Sequence, residues 1–394
     1  MTERGVFHIG VDGRVLAERH TGVAVYTRLL LRFLLRYRED FRLTLFTHRC
    51  IEPSTLAELG GEARVSSVVL PCSSAMVARP VWDHILLPIG ASRMNLNLFF
   101  SPLTVVPRFL KVPRIVTLHD LGFLRYPEIQ PAKYRWYWEA ALRRAVRKAD
   151  ALIAVSESTH RDAVELLGAN PERIMVIPEA VDPFFQEEPS AEEEEQILHS
   201  LGLNPGYLLA VGTLEPRKNY RTILDVLDRL REKRPDLRLV IAGMSGWLCD
   251  KIVQRIRRRS DCIRWIEDAD DIVLRTLYRN APVFLFPSLY EGFGLPVLEA
   301  MACGVPVVTS NAGSLPEVAG DAAVCLPPQD TEAISEWVFR LLENENLRLE
   351  YRARGYSRVR LFSWEQTALR TWELFERYLK SPSLPPAERR DEGT

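Results

Sequence analysis

Two carboxylates, Glu291 and Glu299, lie eight residues apart in the most chemically suggestive stretch of the chain. It reads Phe286-Pro-Ser-Leu-Tyr-Glu-Gly-Phe-Gly-Leu-Pro-Val-Leu-Glu-Ala-Met-Ala-Cys-Gly-Val-Pro-Val-Val-Thr309. Carboxylates accept paired hydrogen bonds from neighbouring sugar hydroxyls, and two at one crevice fit a ligand with two sugar rings; an acid and base pair is the other reading. Between them, Gly292, Phe293, Gly294 and Leu295 form a Gly-rich turn whose backbone amides can meet a phosphate or a hydroxyl. A second group of charges, Arg217 and Lys218, follows an apolar run. Two adjacent cations match a diphosphate, and a guanidinium fork suits its oxygens; a surface basic pair is the plainer alternative.

The elements that must position these groups follow from local pattern. Residues 283–286 read as a strand, Pro296 suits the first position of a helix, Gly304 its C-terminal cap, and residues 305–309 a returning strand. That is a βαβ unit, whose loop opens at the carboxyl end of a parallel strand, where open sheets bind ligands. Residues 207–211 give the strand before Arg217, and residues 220–231 the helix after it. Upstream, residues 6–11, 43–46, 65–70, 99–100, 114–118, 151–155 and 173–177 read as strands. His119-Asp120 ends one of them, where a polar contact with substrate competes with an ordinary structural histidine. Thr21-Gly22 falls between a strand and a helix at residues 26–37, either as a ligand-facing loop or as a plain turn.

The remaining features set limits. At 394 residues the chain exceeds one usual core, so two doubly wound domains with a cleft between them are expected. The acidic, Pro-containing residues 182–206 mark the linker region. Basic and acidic residues balance at 51 against 52, which excludes the basic field of a nucleic-acid binder. Six scattered cysteines without CxxC spacing point to reduced thiols, a cytoplasmic location and no zinc site. No leader and no apolar run of about 18 residues is read, so no span is expected. The helix at 133–148 interleaves Trp136, Tyr137 and Trp138 with Arg143, Arg144, Arg147 and Lys148. That composition fits a peripheral contact with the inner face of a membrane, or a solvated basic face over packed aromatics. Asp268-Ala-Asp270 spells a metal-binding DxD, but its place before a helix favours an N-cap, so no metal is expected.

These motifs together resemble the retaining, nucleotide-sugar-dependent glycosyltransferases of the family 4 type. The resemblance runs through Thr21-Gly-Val-Ala-Val-Tyr26, His119-Asp120, Ala149 to Glu157, Gly212 to Asn219, the double-glutamate stretch and Phe362-Ser-Trp364. It implies the GT-B fold: an N-terminal Rossmann-like acceptor domain over 1–185, a donor domain over 186–361, a helix over 362–380 crossing back to the first domain, and a disordered tail at 381–394. It also implies that Gly22 lies near the donor diphosphate, that His119 contacts the transferred sugar, and that Arg217 and Lys218 bind the diphosphate and stabilise the departing charge. Glu291 would face the sugar, with Phe293, Gly294 and Leu295 offering amides, and Glu299 would hold the ribose hydroxyls. The Gly243-Met-Ser-Gly-Trp247 and His119-Asp-Leu-Gly-Phe segments look most like subgroups that move mannose or related sugars from GDP-sugars onto surface polysaccharides. Neither metal nor other cofactor is implied; the partners are the nucleotide-sugar and a glycan or lipid-linked acceptor. A UDP-sugar enzyme of the same fold, an epimerase and an inactive sugar-binding scaffold are the competing readings. A pyridoxal-dependent phosphorylase would need a Schiff-base lysine, for which no lysine has a recognisable setting.

Overall fold

The computed structural model describes residues 6–17, 21–60, 63–72 and 79–380. Arg19, His20 and the tail at 381–394 lie outside the described residues. The chain divides into two compact units. Each holds one sheet in which every strand pairing is parallel. The first sheet contains β1 (Phe7–Asp12), β2 (Phe41–Thr47), β3 (Val65–Val69), β4 (Leu98–Ser101), β5 (Arg114–Leu118), β6 (Ala151–Ala154) and β7 (Ile174–Val176), in the order β3-β2-β1-β4-β5-β6-β7. The second contains β8 (Leu208–Val211), β9 (Leu239–Ala242), β10 (Ile263–Ile266), β11 (Val283–Phe286), β12 (Val307–Ser310) and β13 (Ala323–Leu326), in the order β10-β9-β8-β11-β12-β13. Both orders reverse direction at the sheet centre, as in a doubly wound Rossmann fold. The sequence explains the pairing: Leu-Leu-Ala-Val in β8, Leu-Val-Ile-Ala in β9 and Val-Phe-Leu-Phe in β11 are buried at every position. Such short continuous apolar runs belong to strands covered on both faces.

The two units are not contiguous in sequence. The second unit takes Ala180–Ser363 and also Gly122–Arg135, whereas Trp136–Glu179 and helix Trp364–Lys380 belong to the first. The acidic stretch read as linker contains helix Ala191–Leu201, capped by Ser190, with Glu192, Glu193 and Glu194 in its first turn. Acidic side chains there complement the helix dipole, and Glu194 pairs with Arg279 at 2.8 Å within the second unit. The excursion Gly122–Arg135 is held by the Trp247 indole, which donates to the Ile129 carbonyl at 2.7 Å, and by the Tyr126 ring 6.4 Å from that of Tyr290.

Helix Trp364–Lys380 packs within the first unit through Trp364, Trp372 and Phe375, all nearly inaccessible. Phe41 stands 4.9 Å from Trp372, Phe100 stands 5.2 Å from Phe375, and the Thr367 hydroxyl donates to the Pro178 carbonyl at 2.8 Å. Trp364→Ala should cost about 3–5 kcal/mol, the usual range for emptying a buried tryptophan site. A change under about 1 kcal/mol in urea unfolding would show that this helix does not complete the first core.

Candidate functional site

Helix Gly22–Tyr37 begins in the first unit at the Thr21 N-cap, whose hydroxyl accepts from the Ala24 amide at 3.2 Å. Gly22 is therefore the first residue of the helix, exposed, with open space where a Cβ would stand. One turn on, the buried Tyr26 ring meets the His119 imidazole edge to face at 4.7 Å. Its hydroxyl lies 3.2 Å from that of Thr117. Burial, foremost, and the nearby Glu179 push the Tyr26 hydroxyl well above the usual phenol range, so it stays neutral. His119 follows β5 directly. Its Nδ1 lies 3.0 Å from Glu179 Oε1, and its Nε2 lies 2.8 Å from the Pro102 carbonyl.

In the second unit β8 and β11 are neighbours at the centre of the sheet, where the strand order reverses. Their carboxyl-end loops therefore face one crevice, which is why residues far apart in sequence meet there. The loop after β8 carries the turn Pro216–Lys218 and then Asn219 in a left-handed conformation, with φ 55°. The Asn219 amide donates to the carbonyls of Pro287 (3.0 Å) and Pro328 (2.7 Å), and the Leu289 amide donates to the Arg217 carbonyl at 2.8 Å. These bonds fix the two loops together before any side-chain charge is considered.

The charges then interlock. Arg217 Nη2 lies 2.7 Å from Glu215, its Nη1 donates to the Tyr290 carbonyl at 3.1 Å and to Glu291, and Lys218 Nζ donates to the other Glu291 oxygen at 2.7 Å. Glu291 retains only 8% side-chain exposure and Glu215 only 4%. Burial alone would raise the Glu291 pKa, but Arg217 and Lys218 outweigh it and hold the carboxyl at about 2. Lys218 is itself pulled down by burial, with Glu291 opposing that shift. The four groups carry two positive and two negative charges, a balanced and largely desolvated cluster. Gly212, at φ 135°, leaves room for it: a Cβ there would press on the Lys218 stem at 3.2 Å.

Glu299 lies on helix Leu295–Ala302, which starts at Gly294 in a left-handed conformation, with Pro296 in its first turn and Gly304 just past its Cys303 cap. Its carboxylate accepts from the Tyr278 hydroxyl at 3.0 Å. Burial around that carboxyl raises its pKa to about 7, with the Tyr278 hydrogen bond resisting and Asp271 and Asp182 adding to the rise. The two glutamates thus have opposite electrostatic settings. The turn from Glu291 to Gly294 is pinned from behind: the Ser314 hydroxyl lies 2.6 Å from the Phe293 carbonyl and 3.0 Å from that of Glu291, its one proton serving these two acceptors, and the Phe293 ring meets Phe362 at 5.8 Å. Asp270 caps helix Asp271–Arg279 by accepting from the Val273 amide at 2.8 Å, so its carboxylate serves the backbone.

The second unit thus brings Arg217, Lys218 and Glu291 into one cluster, with Gly292, Phe293, Gly294 and Leu295 on the same loop and Glu299 on the helix that follows. Gly22 and His119 belong to the first unit. Sequence pattern missed Glu215, Glu179 and Ser314. Glu215 sits two residues before Arg217, but nothing in that spacing says which cation it binds. Glu179 and Ser314 find their partners only through the fold.

A family profile described as Glycosyltransferase Family 4 matches residues 20–185, and one described as Glycosyl transferases group 1 matches residues 192–358. An O-antigen chain mannosyltransferase B from Escherichia coli is 36% identical over 260 residues, covering 65% of this chain and 68% of that protein. An MMP alpha-(1->4)-mannosyltransferase from Mycolicibacterium hassiacum is 29% identical over 282 residues, 67% of this chain and 65% of that protein. Among solved structures, a sucrose-phosphate synthase from Thermosynechococcus elongatus superposes with a TM-score of 0.77 at 20% identity, covering 95% of this chain and all of that one. That last likeness concerns the fold alone.

Proposed function

Since this chain belongs to the glycosyltransferases of family 4, we propose that it transfers mannose from GDP-mannose, with retention, to a glycan or lipid-linked acceptor in surface polysaccharide biosynthesis. The observation that carries the reading is the Glu215, Arg217, Lys218 and Glu291 cluster at the carboxyl ends of β8 and β11. A nucleoside diphosphate leaving group needs positive charge where its own charge develops, and two cations in a largely water-excluded setting supply it. Glu291, ionised throughout the neutral range, is no general acid. Its role is to orient the transferred sugar, with the amides of Phe293, Gly294 and Leu295, while Glu299 holds the ribose hydroxyls. Gly22 lies near the diphosphate and His119 contacts the sugar. The acceptor hydroxyl attacks from the face the diphosphate leaves, and a phosphate oxygen takes its proton, so no metal or other cofactor is required.

Thermal melting with GDP, UDP and ADP and their sugars tests the donor. A selective ligand at a hundred times its Kd stabilises by about 2.7 kcal/mol, so GDP should raise the midpoint above the other two. No shift with any nucleotide at millimolar concentration would overturn the donor site, and a UDP-selective shift would replace the base. Transfer should persist at full rate in excess EDTA, and the product should keep the donor's anomeric configuration by NMR. Loss of activity in EDTA would return Asp268 and Asp270 to consideration as metal ligands.

Among the described residues no helix is long and apolar enough to cross a membrane. A peripheral contact at the cytoplasmic face belongs to the same proposal. Helix Ala132–Lys148 buries Leu142, Ala145 and Val146 and exposes Trp136, Arg143 and Arg147, whose spacing puts them on one face. Sedimentation with anionic against neutral vesicles reads that contact directly.

A further inference from the structure

The His119 ring is fixed by groups that restrict where its protons lie. The Pro102 carbonyl only accepts, so the Nε2 atom 2.8 Å away carries a proton. Nδ1 lies 3.0 Å from Glu179 Oε1, and a bare ring nitrogen facing an ionised carboxylate would set two lone pairs against each other. The contact therefore requires one further proton on the line between Nδ1 and Oε1. Glu179 is built for this position, with only 6% of its side chain exposed. It follows Pro178, whose carbonyl is held by Thr367 of the last helix. Tyr26 closes one side of the ring.

We propose that Glu179 is the positioning residue of His119: it shares that further proton with Nδ1 and so fixes the ring with Nε2–H outward, a hydrogen-bond donor to substrate and never a base. A sugar hydroxyl would take over the Nε2–H bond that Pro102 accepts in the free protein, while the Nδ1–H bond to Glu179 keeps the ring in place. The proposal rests on His119 contacting the transferred sugar. It deepens that reading by fixing the contact's polarity: the group recognised is an acceptor oxygen of the sugar.

The test is nitrogen NMR of the full chain carrying labelled histidine, with His119→Gln assigning the resonance. The wild type should show Nε2 protonated and an Nδ1 signal set by the proton shared with the Glu179 carboxyl, and Glu179→Gln should abolish that Nδ1 signature while Nε2 stays protonated. Steady-state kinetics of Glu179→Gln should show kcat lower by about tenfold, the size expected when a charge-assisted hydrogen bond becomes a neutral one, with the donor KM changed less. A wild-type ring with bare Nε2, or a Glu179→Gln variant with either unchanged ring signals or unchanged kcat, overturns the proposal. The ring signal needs no substrate. Absence of transfer from every nucleotide-sugar would therefore fault the functional reading and leave this test standing.

Discussion

Glu291→Gln should reduce transfer by about 100-fold or more, the effect of removing one preorganised electrostatic contact at a reacting centre, while the variant binds free nucleoside diphosphate more tightly than the wild type. The opposite signs follow from what Glu291 does in the unliganded protein, where it occupies Lys218 Nζ and one arm of Arg217. On the proposed reading, an incoming diphosphate competes with that carboxylate for the same cations. Removing the carboxylate charge ends the competition but also ends its action on the sugar. Lys218→Ala should lower transfer by a similar factor and weaken diphosphate binding as well. Kd values from calorimetry, set beside kcat for both variants, separate the two cases. Weaker diphosphate binding in Glu291→Gln would show that the carboxylate supports the phosphate site and does not compete for it.

The two glutamates should also impose opposite pH dependences on stability. The Glu291 carboxyl titrates at about 2 in the folded protein against an ordinary 4.5, so its contribution is complete above pH 4.5 and is lost as pH falls toward 2. Glu299 is raised to about 7, so ionising it works against the fold, and stability falls as pH rises from 4.5 through 7. A shift of that size corresponds to about 3 kcal/mol for each group. Thermal midpoints measured from pH 2 to pH 8 should fall less steeply toward acid in Glu291→Gln and less steeply toward base in Glu299→Gln. Parallel curves for wild type and both variants would contradict these settings. A ribose diol that donates to Glu299 favours the ionised form, so nucleotide binding between pH 6 and 7 should release a proton.

The strands and the loops bearing Arg217, Lys218 and Glu291 could be read in the sequence because buried parallel strands are continuous apolar runs. Their carboxyl ends are marked by Gly, Pro and charge. Helix Glu345–Val359 could not be read, since only Gly355 and Val359 on it are buried. It is held by arginines donating to carbonyls, among them Arg352 to Gly304 at 2.9 Å and Arg358 to Val318 at 2.8 Å. Such bonds leave no periodic apolar signature. The cationic loop was legible as charge, but the engagement of Arg217 by both Glu215 and Glu291 depends on how two loops are brought together. For the same reason the sequence places two glutamates at one crevice without revealing that one is held ionised and the other is driven toward neutrality.

The first unit's sheet is complete in sequence by Val176, yet the helix that covers Phe41 and Phe100 begins only at Trp364. A ribosome adding roughly 5–20 residues per second would take roughly 10–40 s to make the intervening chain. Throughout that interval the emerging first unit holds a finished sheet with an unfilled aromatic seat, while the second unit, from Ala180 to Ser363, is made and can close on itself. Order of synthesis and order of completion are therefore inverted: the unit begun first is the one finished last.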